Sequence, residues 1–304
     1  MGQHYGLRRK AFMTATIEKS GSQGGVMSRQ SKVANIVITI LLWFGAILMV
    51  FPLFYMVMMS FMTKNQILSA YFSIIPYPWV FGKYQEVMQK GEFISGIVNS
   101  FSVAIPVLLF GGFTSTLATF AFSHMRFRGK NLIFMILLSA IMMPFAAVMI
   151  PQYALFSNLG WTNTLAPLII PGCFGNIGMI FFLVQNKGAV PNSLVEAAKI
   201  DGCGYFRIYW KIFLPLMKGA VATQLILWFM GIWNDYLAPT IFLQNENTWT
   251  LQVVINSFNS YYSIQSDYAL IMAASVIALA PPIILFFVFQ KYIIESIAIS
   301  GVKG

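Results

Sequence analysis

Charged side chains are scarce in this 304-residue chain, since Asp, Glu, Lys and Arg make up only 9% of it. Soluble domains carry about 25% charged residues. Hydrophobic residues reach 58%, which is more apolar surface than soluble cores of this length can enclose. The net charge of +10 does not indicate a nucleic-acid partner, because basic residues collected on one side of a membrane account for it. The sequence therefore predicts an integral membrane protein.

Side chains for metal binding and catalysis are also scarce. The chain has two histidines, His4 and His124, and two cysteines, Cys173 and Cys203, and their spacing fits neither a zinc site nor a disulfide framework. It contains no G-x-x-x-x-G-K-[ST] loop that would hold phosphates. Asp235 is the one carboxylate within a predicted span, whereas ion-coupled carriers use intramembrane acids. We therefore predict no metal, no cofactor and no enzyme activity, and we expect energy for transport to come from outside the chain.

Long apolar runs predict six transmembrane helices, because about 20 apolar residues cross the hydrocarbon core. The charge-free stretch 131–186 is too long for one crossing, so we divide it at Pro151 and the polar string 157–164. The fold class is therefore all-α and polytopic. The predicted spans are residues 33–56, 99–122, 132–150, 165–184, 219–243 and 269–289.

The distribution of basic residues predicts the orientation of these spans. Of the 19 Lys and Arg residues, all except Lys64, Lys83 and Lys90 fall in the termini and loops on one side of the predicted membrane. Cytoplasmic loops carry such an excess of basic residues. We therefore expect both termini and the loop 187–218 in the cytoplasm.

This topology predicts four segments along the chain. Residues 1–32 form a disordered cytoplasmic lead-in, because they are polar, basic and rich in Gly and Ser. Residues 33–98 hold the first transmembrane helix and an extracytoplasmic loop. Residues 99–290 form a core of five helices that includes the loop 187–218, and residues 291–304 form a cytoplasmic tail.

The loop 187–218 contains a pattern for two short helices with a sharp turn between them. Ser193 and Glu196 have the capping-box spacing, which predicts Ser193 as the N-cap and Glu196 reaching back to it. Gly202 can take the positive φ that the turn needs, and the second helix, 205–214, is expected to end at Pro215. A basic loop of this kind can also simply lie on anionic lipid.

The same loop resembles the EAA motif of ABC-importer permeases. Glu196-Ala197-Ala198-x-x-x-Gly202 is followed, after nine residues, by Ile212-x-Leu214-Pro215. The chain is further similar, over residues 33–304, to carbohydrate-importer permeases of the kind represented by the smaller membrane subunit of the maltose system. Cys203 departs mildly from this pattern, since alanine is common there. The supporting motifs are Asn99-Ser100, Leu159-Gly160-Trp161-Thr162-Asn163-Thr164, Trp233-Asn234-Asp235-Tyr236 with Pro239, and Ser300-Gly301-Val302-Lys303-Gly304.

This resemblance implies a permease of the type I ABC-importer fold in the cytoplasmic membrane. The implied partners are two ATPase subunits, a second and different permease subunit, an extracytoplasmic solute-binding protein, membrane lipid and a sugar, but no nucleic acid. The alternatives are an ABC permease for a polyamine or peptide, and an ion-coupled carrier. The implied ATPase-coupling residues are Glu196, Ala197, Ala198, Gly202, Ile212, Leu214 and Pro215, and the candidate substrate path comprises Asn234, Asp235 and Tyr236.

Overall fold

The computed structural model of the protein describes residues 34–69, 71–259 and 266–301, with side chains to residue 292 in the last range. The predicted lead-in 1–32 lies outside these residues. The chain divides into two compact units, Met1–Met58 and Met59–Gly304. The finer division of the chain at residues 98/99 and 290/291 stays a prediction.

The described residues form helices and contain no strand. Short π-helical segments occur at Val107–Gly111 and Tyr209–Phe213, and 3₁₀ turns at Lys187–Ala189 and Glu246–Thr248. The α-helices, numbered in chain order, are α1 (Ala34–Met59), α2 (Lys64–Ile67), α3 (Gly82–Gln89), α4 (Gly91–Pro106), α5 (Gly112–His124), α6 (Lys130–Ile141), α7 (Phe145–Asn158), α8 (Ala166–Cys173), α9 (Ile177–Gln185), α10 (Asn192–Ile200), α11 (Tyr205–Ile208), α12 (Leu214–Trp233), α13 (Leu237–Phe242), α14 (Leu251–Ser257) and α15 (Tyr268–Gly301).

Five helices in the described residues are long and apolar enough to cross a membrane, and the bent pair α6–α7 makes a sixth. The first is α1, whose 26 residues match the prediction for 33–56. The second runs without interruption from Gly91 to His124, so Asn99 lies inside it rather than at its start. The predictions for the fourth and sixth spans agree closely with Ala166–Gln185 and Tyr268–Tyr292.

The third span is bent within itself, at a position apart from the boundary that we predicted between the third and fourth spans. Helices α6 and α7 meet at an angle of 98°. Pro144 precedes α7 in an extended conformation (φ −65°, ψ 140°), whereas Pro151 lies inside α7. A proline pushes the residue before it away from the helical region, so Met143 and Pro144 end the first half. Helix α7 continues through Pro151 to Asn158, so the prediction that the third span ends at Pro151 was wrong, whereas the polar string 157–164 does lead into the gap before α8.

The fifth span differs from the prediction at both ends. It begins at Tyr205 and ends at Trp233, about ten residues before the end that we expected. Pro215 does not stop the helix, because it closely follows the π-helical segment Tyr209–Phe213, and a local π adjustment lets a membrane helix continue past a proline. Asp235 consequently lies beyond the span instead of within it.

Three clusters of buried side chains hold the second unit together. The first surrounds Trp233 and joins α4, α12, α14 and α15. The second surrounds Tyr209 and Phe213 and joins α5, α9, α10 and the start of the fifth span. The third is small and packs Phe156 of α7 against Phe242 of α13. The two larger clusters lie at opposite ends of α12, so that helix connects them.

Candidate functional site

Helix α10 carries the first half of the EAA motif and begins two residues earlier than predicted. Its N-cap is Pro191 (φ −59°, ψ 141°), and no side chain caps it. Ser193 lies inside the first turn and Glu196 is exposed. The predicted capping box is therefore wrong, since the extended Pro191 already starts the helix at Asn192. The carboxylate of Glu196 is left at the surface and free for another partner.

The two alanines of the motif face in different directions. Val195 is 3% exposed and Ala198 is 7% exposed, and both pack into the cluster around Tyr209. Ala197 is exposed beside Glu196. Of the two alanines that the resemblance implies in coupling, only Ala197 therefore lies at the surface. Residues three apart share one helix face, so Val195 and Ala198 form the inner face of α10.

Gly202 adopts the positive φ that the sequence predicted, with a value of 80°. The amide of Gly202 donates to the carbonyl of Lys199 at 3.0 Å, and the amide of Cys203 donates to that of Ala198 at 2.9 Å. This pair of bonds is the Schellman ending of a helix, which favours glycine at the left-handed position. Cys203 also packs against the cluster around Tyr209. Helix α10 therefore ends sharply, and the chain reverses into the fifth span.

The second half of the motif fixes the fifth span against the second. Ile212 and Leu214 are partly buried in the cluster around Tyr209, while Pro215 is exposed. The hydroxyl oxygens of Tyr209 and Thr116 lie 2.8 Å apart in a buried hydrogen bond. The rings of Phe120 and Phe213 meet edge to face, with centroids 5.3 Å apart. The motif thus belongs to one packed unit that includes α5.

A hydrogen bond also connects α5 directly to the start of α10. His124 Nδ1 lies 3.0 Å from the side-chain oxygen of Asn192. Sequence analysis missed this contact and the aromatic packing around Phe120, because both join segments about 70 to 90 residues apart. The excess of aromatic residues between positions 205 and 213 is the only signal in the sequence that could have indicated it.

The candidate substrate residues occupy the break between α12 and α13. The side-chain nitrogen Nδ2 of Asn234 donates to the carbonyl of Met230 at 2.9 Å. The carboxylate of Asp235 accepts the amide of Ala238 at 3.2 Å, and the hydroxyl of Tyr236 accepts from Asn256 Nδ2 at 2.8 Å. Each side chain therefore has a local hydrogen-bond role.

These three residues do not converge on one cavity. Asp235 lines a small cavity of about 60 Å³ together with Ser100 and Thr250. Tyr236 lines a separate one of about 230 Å³ whose polar groups include Gln252 and Asn256. Among the described residues, no three His, Cys, Asp or Glu side chains come close enough to hold a metal ion.

Asn99, Ser100 and Trp233 hold the loop and helices around this break. Asn99 Nδ2 donates to the carbonyls of Asn247 and Trp249, both at 2.9 Å. The hydroxyl of Ser100 accepts the amide of Leu251 at 2.9 Å. The indole of Trp233 donates to the carbonyl of Ala278 at 2.9 Å. These motif residues therefore anchor backbone segments to one another.

The fold and this loop define a class of protein. A bundle of membrane-spanning helices, interrupted by one short, sharply ended helix that packs on two spans, is the arrangement of a transport permease. The family of binding-protein-dependent transport system inner membrane components matches residues 111–299. The chain belongs to this family, and it is a multi-pass protein of the cytoplasmic membrane.

Individual relatives agree with this assignment. The chain is 29% identical over 279 residues to the arabinooligosaccharides transport system permease protein AraQ of Halalkalibacterium halodurans, covering 91% of this chain and 99% of the relative. It is 31% identical over 271 residues to the probable ABC transporter permease protein MG189 of Mycoplasma genitalium, covering 85% of each. It is 28% identical over 266 residues to the lactose transport system permease protein LacG of Rhizobium radiobacter, covering 83% of this chain and 90% of that one.

Solved structures give the same fold. A bacterial ABC transporter involved in the import of the acidic polysaccharide alginate aligns with a TM-score of 0.72 and 25% identity, covering 87% of this chain and 98% of that one. A second structure, of the bacterial alginate transporter in complex with its periplasmic protein bound to an alginate pentasaccharide, aligns with a TM-score of 0.61 and 16% identity, covering 87% and 94%. The predicted all-α importer-permease fold is confirmed.

Proposed function

We propose that this chain is the permease subunit of an ATP-driven ABC importer that moves a sugar or oligosaccharide across the cytoplasmic membrane by alternating access. The observation that carries the proposal is the Schellman ending of α10 at Gly202, packed against α5 through the cluster around Tyr209. A short rigid helix that is packed in this way can transmit a displacement from a partner subunit to the transmembrane helices.

The names of the relatives support a saccharide as the substrate. They include permeases for arabinooligosaccharides, lactose, diacetylchitobiose and starch degradation products. None of these names is a polyamine or a peptide. One relative is named for osmoprotective compounds, so relatives in this group do not all carry names of sugars. We therefore propose saccharide import and keep another solute as the alternative.

Coupling to ATP hydrolysis would use the exposed face of α10. Glu196 and Ala197 lie on this face, where an acid and a small side chain allow a basic partner surface to approach closely. Ala198, Ile212 and Leu214 lie on the packed side and would carry the displacement inward. Two ATPase subunits, separate from this chain, would dock here and hydrolyse the ATP.

The remaining partners follow from the same proposal. A second, different permease subunit would complete the pathway, and a solute-binding protein would deliver the sugar from outside. The basic residues predict that both termini and α10 lie in the cytoplasm. The polar groups between α12 and α13 would then lie near the outer side. Tyr236 is 41% exposed and, with the neighbouring amides, offers groups suited to sugar hydroxyls.

Transport assays in proteoliposomes test this proposal. With the assembled transporter in the membrane, we expect uptake of labelled oligosaccharide only when ATP is present on the ATPase side and the binding protein on the other. Omitting the ATPase subunits, with the permease still inserted, is the matched control. Uptake driven by a proton or sodium gradient alone would contradict the proposal and support an ion-coupled carrier.

A further inference from the structure

A polar cavity of about 450 Å³ lies between α10 and the loop that joins α5 to α6. Its lining includes Arg126, Lys130 and Lys199, together with Ser123 and His124. Because α5 ends at His124 and α6 begins at Lys130, the cavity lies where two membrane helices end. It is separate from the break between α12 and α13, and it borders the exposed face of α10 at Glu196.

The basic groups of this cavity are not neutralised by acidic side chains. Within the described residues, the ion pairs are those of Lys83 with Glu86 and with Asp267, and none involves the cavity. Glu196 is the single carboxylate in its lining, against three basic side chains.

Neutral neighbours hold two of these cations in place. Lys130 Nζ donates to the carbonyl of Met125 at 3.1 Å. Lys199 Nζ bonds to the hydroxyl of Tyr205 at 3.0 Å and lies 4.4 Å from the centre of its ring. An ammonium group has three donors, so both lysines keep hydrogens for a ligand.

Two buried polar atoms in the cavity wall have no partner within the described structure. They are Ser123 Oγ and His124 Nε2. The other ring nitrogen of His124 is used by Asn192, so Nε2 is the position left for a ligand. Buried polar groups are nearly always hydrogen-bonded in folded proteins. A ligand with several oxygens would accept from the serine hydroxyl, and also from the imidazole in its doubly protonated form, which an adjacent anion favours.

The surroundings indicate that the ligand carries apolar chains. An adjoining cavity of about 380 Å³ shares Arg126 and Lys130 and continues to Leu132. Beyond it, α6 exposes large apolar side chains: Leu132, Met135 and Ile136 are each 59% exposed. A charged group in the basic cavity would therefore sit directly beside a surface suited to acyl chains.

We propose that this basic cavity binds a phosphate group, supplied by the head of an anionic phospholipid. Arg and Lys with hydroxyl donors match the oxygens of a phosphate, and basic pockets between membrane helices bind phospholipid heads. Inorganic phosphate has the same chemistry, but the apolar face of α6 favours the lipid. The inference rests on the proposed function only for the leaflet concerned, which the orientation makes the cytoplasmic one.

Occupancy of this site would act on α10. Asn192 and Lys199 both line the cavity, one in the first turn of α10 and the other in its last turn. A bound phosphate would attract Lys199 and engage His124, which is bonded to Asn192. The lipid would thus help to fix the coupling helix relative to the ends of α5 and α6.

Native mass spectrometry of the assembled transporter tests the site. The complex is titrated with phosphatidylglycerol or with neutral phosphatidylcholine, and the bound lipid is counted for the parent, Arg126→Gln and Arg128→Gln. Arg128 lies in the same loop and is exposed but lines neither cavity, so its variant matches the charge change. We expect Arg126→Gln to weaken binding of phosphatidylglycerol about fivefold, and Arg128→Gln to leave it unchanged.

Further arms separate the possible occupants. Ser123→Ala should also weaken binding of phosphatidylglycerol. Because this variant removes only a hydroxyl group, it tests the site even if Arg126→Gln fails to fold. If inorganic phosphate binds with the same dependence on Arg126 and the lipid does not, the phosphate site is supported with a soluble source. Equal losses in Arg126→Gln and Arg128→Gln would overturn the proposal, because they indicate general surface charge. Lost ATPase association in Arg126→Gln with unchanged lipid binding would overturn it in favour of a protein contact.

Discussion

The turn at Gly202 and the break at Asn234 to Tyr236 both interrupt the helical chain, but they do so by different physical means. At Gly202 the interruption is a backbone conformation, with φ at 80° and two amides bonded back to α10. Between α12 and α13 it is held by side chains, each bonded to a neighbouring group. The first kind depends on one residue type, whereas the second is distributed over several residues. Substitutions should therefore have sharp effects at the turn and graded effects at the break.

The largest expected effect is a difference in thiol labelling between the two regions, because we predict that they lie on opposite sides of the membrane. In a chain with Cys173 and Cys203 replaced by serine, a cysteine at Asn247 should react with an impermeant thiol reagent added to intact cells, and one at Ser193 should not. Both positions are exposed, so accessibility is matched. Basic residues favour the cytoplasm, which makes the expected contrast all or none. Labelling at position 193 from outside would reverse the proposed orientation.

Gly202→Val should have the next largest effect, on assembly and transport. A side chain in the left-handed conformation costs about 1–2 kcal/mol, equivalent to a factor of roughly 5 to 30. A Cβ at this position would meet no other atom within 4 Å, so the effect isolates the backbone conformation. We expect weaker co-purification of the ATPase and slower uptake, with insertion into the membrane unchanged.

Gly204→Val is the matched control for that experiment. Gly204 also has open space around it but adopts an ordinary extended conformation, with φ at −69°. We expect this variant to behave like the parent, and Gly202→Asn to fall between the two, because asparagine tolerates positive φ. Normal assembly of Gly202→Val would remove the distinction between the two regions.

Ser100→Ala should have a moderate effect on stability near the break. The hydroxyl of Ser100 is the acceptor for the buried amide of Leu251, and leaving such a donor unpaired costs about 1–3 kcal/mol. The measurement is the midpoint of thermal unfolding of the purified transporter. Ser102→Ala, at an exposed position of the same helix, should change stability by less than about 0.5 kcal/mol. Equal midpoints for the two variants would show that this bond does not hold the loop.

Asp235→Asn should have the smallest effect. An amide oxygen can still accept the N–H of Ala238, so the local structure is kept while the charge is removed. We expect uptake to stay dependent on ATP and insensitive to collapse of the proton gradient. Asp235→Ala removes the acceptor and should cost about 0.5–2 kcal/mol of stability, as loss of a helix cap does. Loss of a gradient-driven uptake in the asparagine variant would instead indicate ion coupling through this carboxylate.

The predictions from sequence succeeded where one physical requirement decides the outcome. The length of apolar runs fixed the helical class, and the turn at Gly202 could be predicted because few residues other than glycine adopt its conformation. They failed where neighbouring residues compete. Pro144 and Pro151 lie in the same apolar run, and the helix continues through Pro151, which we took as the end of the third span, while it is interrupted at Pro144. The polar run 234–236 is so short that sequence analysis counts it within a transmembrane span. Only the hydrogen bonds of the folded protein show that the helix has already ended at Trp233.

The contacts across the loop could not be predicted for a different reason. The bond between Asn192 and His124, and that between Thr116 and Tyr209, join segments far apart along the chain. No periodicity within either segment specifies the partner in the other. The basic cavity is likewise formed by two segments that are distant in the sequence, residues 123–130 and 192–205. Sequence analysis gave only the less specific alternative that the loop 187–218 lies on anionic lipid.

The unbroken helix from Tyr205 to Trp233 connects the turn at Gly202 to the break at residues 234–236 and can act as a lever between them. Its 29 residues correspond to roughly 43 Å at 1.5 Å per residue. A tilt of about 5° around one end would swing the other through about 4 Å over that length, close to the width of a sugar ring. The span α6–α7, bent by 98°, has no such straight arm. A small displacement at the turn of Gly202 would therefore be magnified at the far end, where the polar groups beyond Trp233 begin.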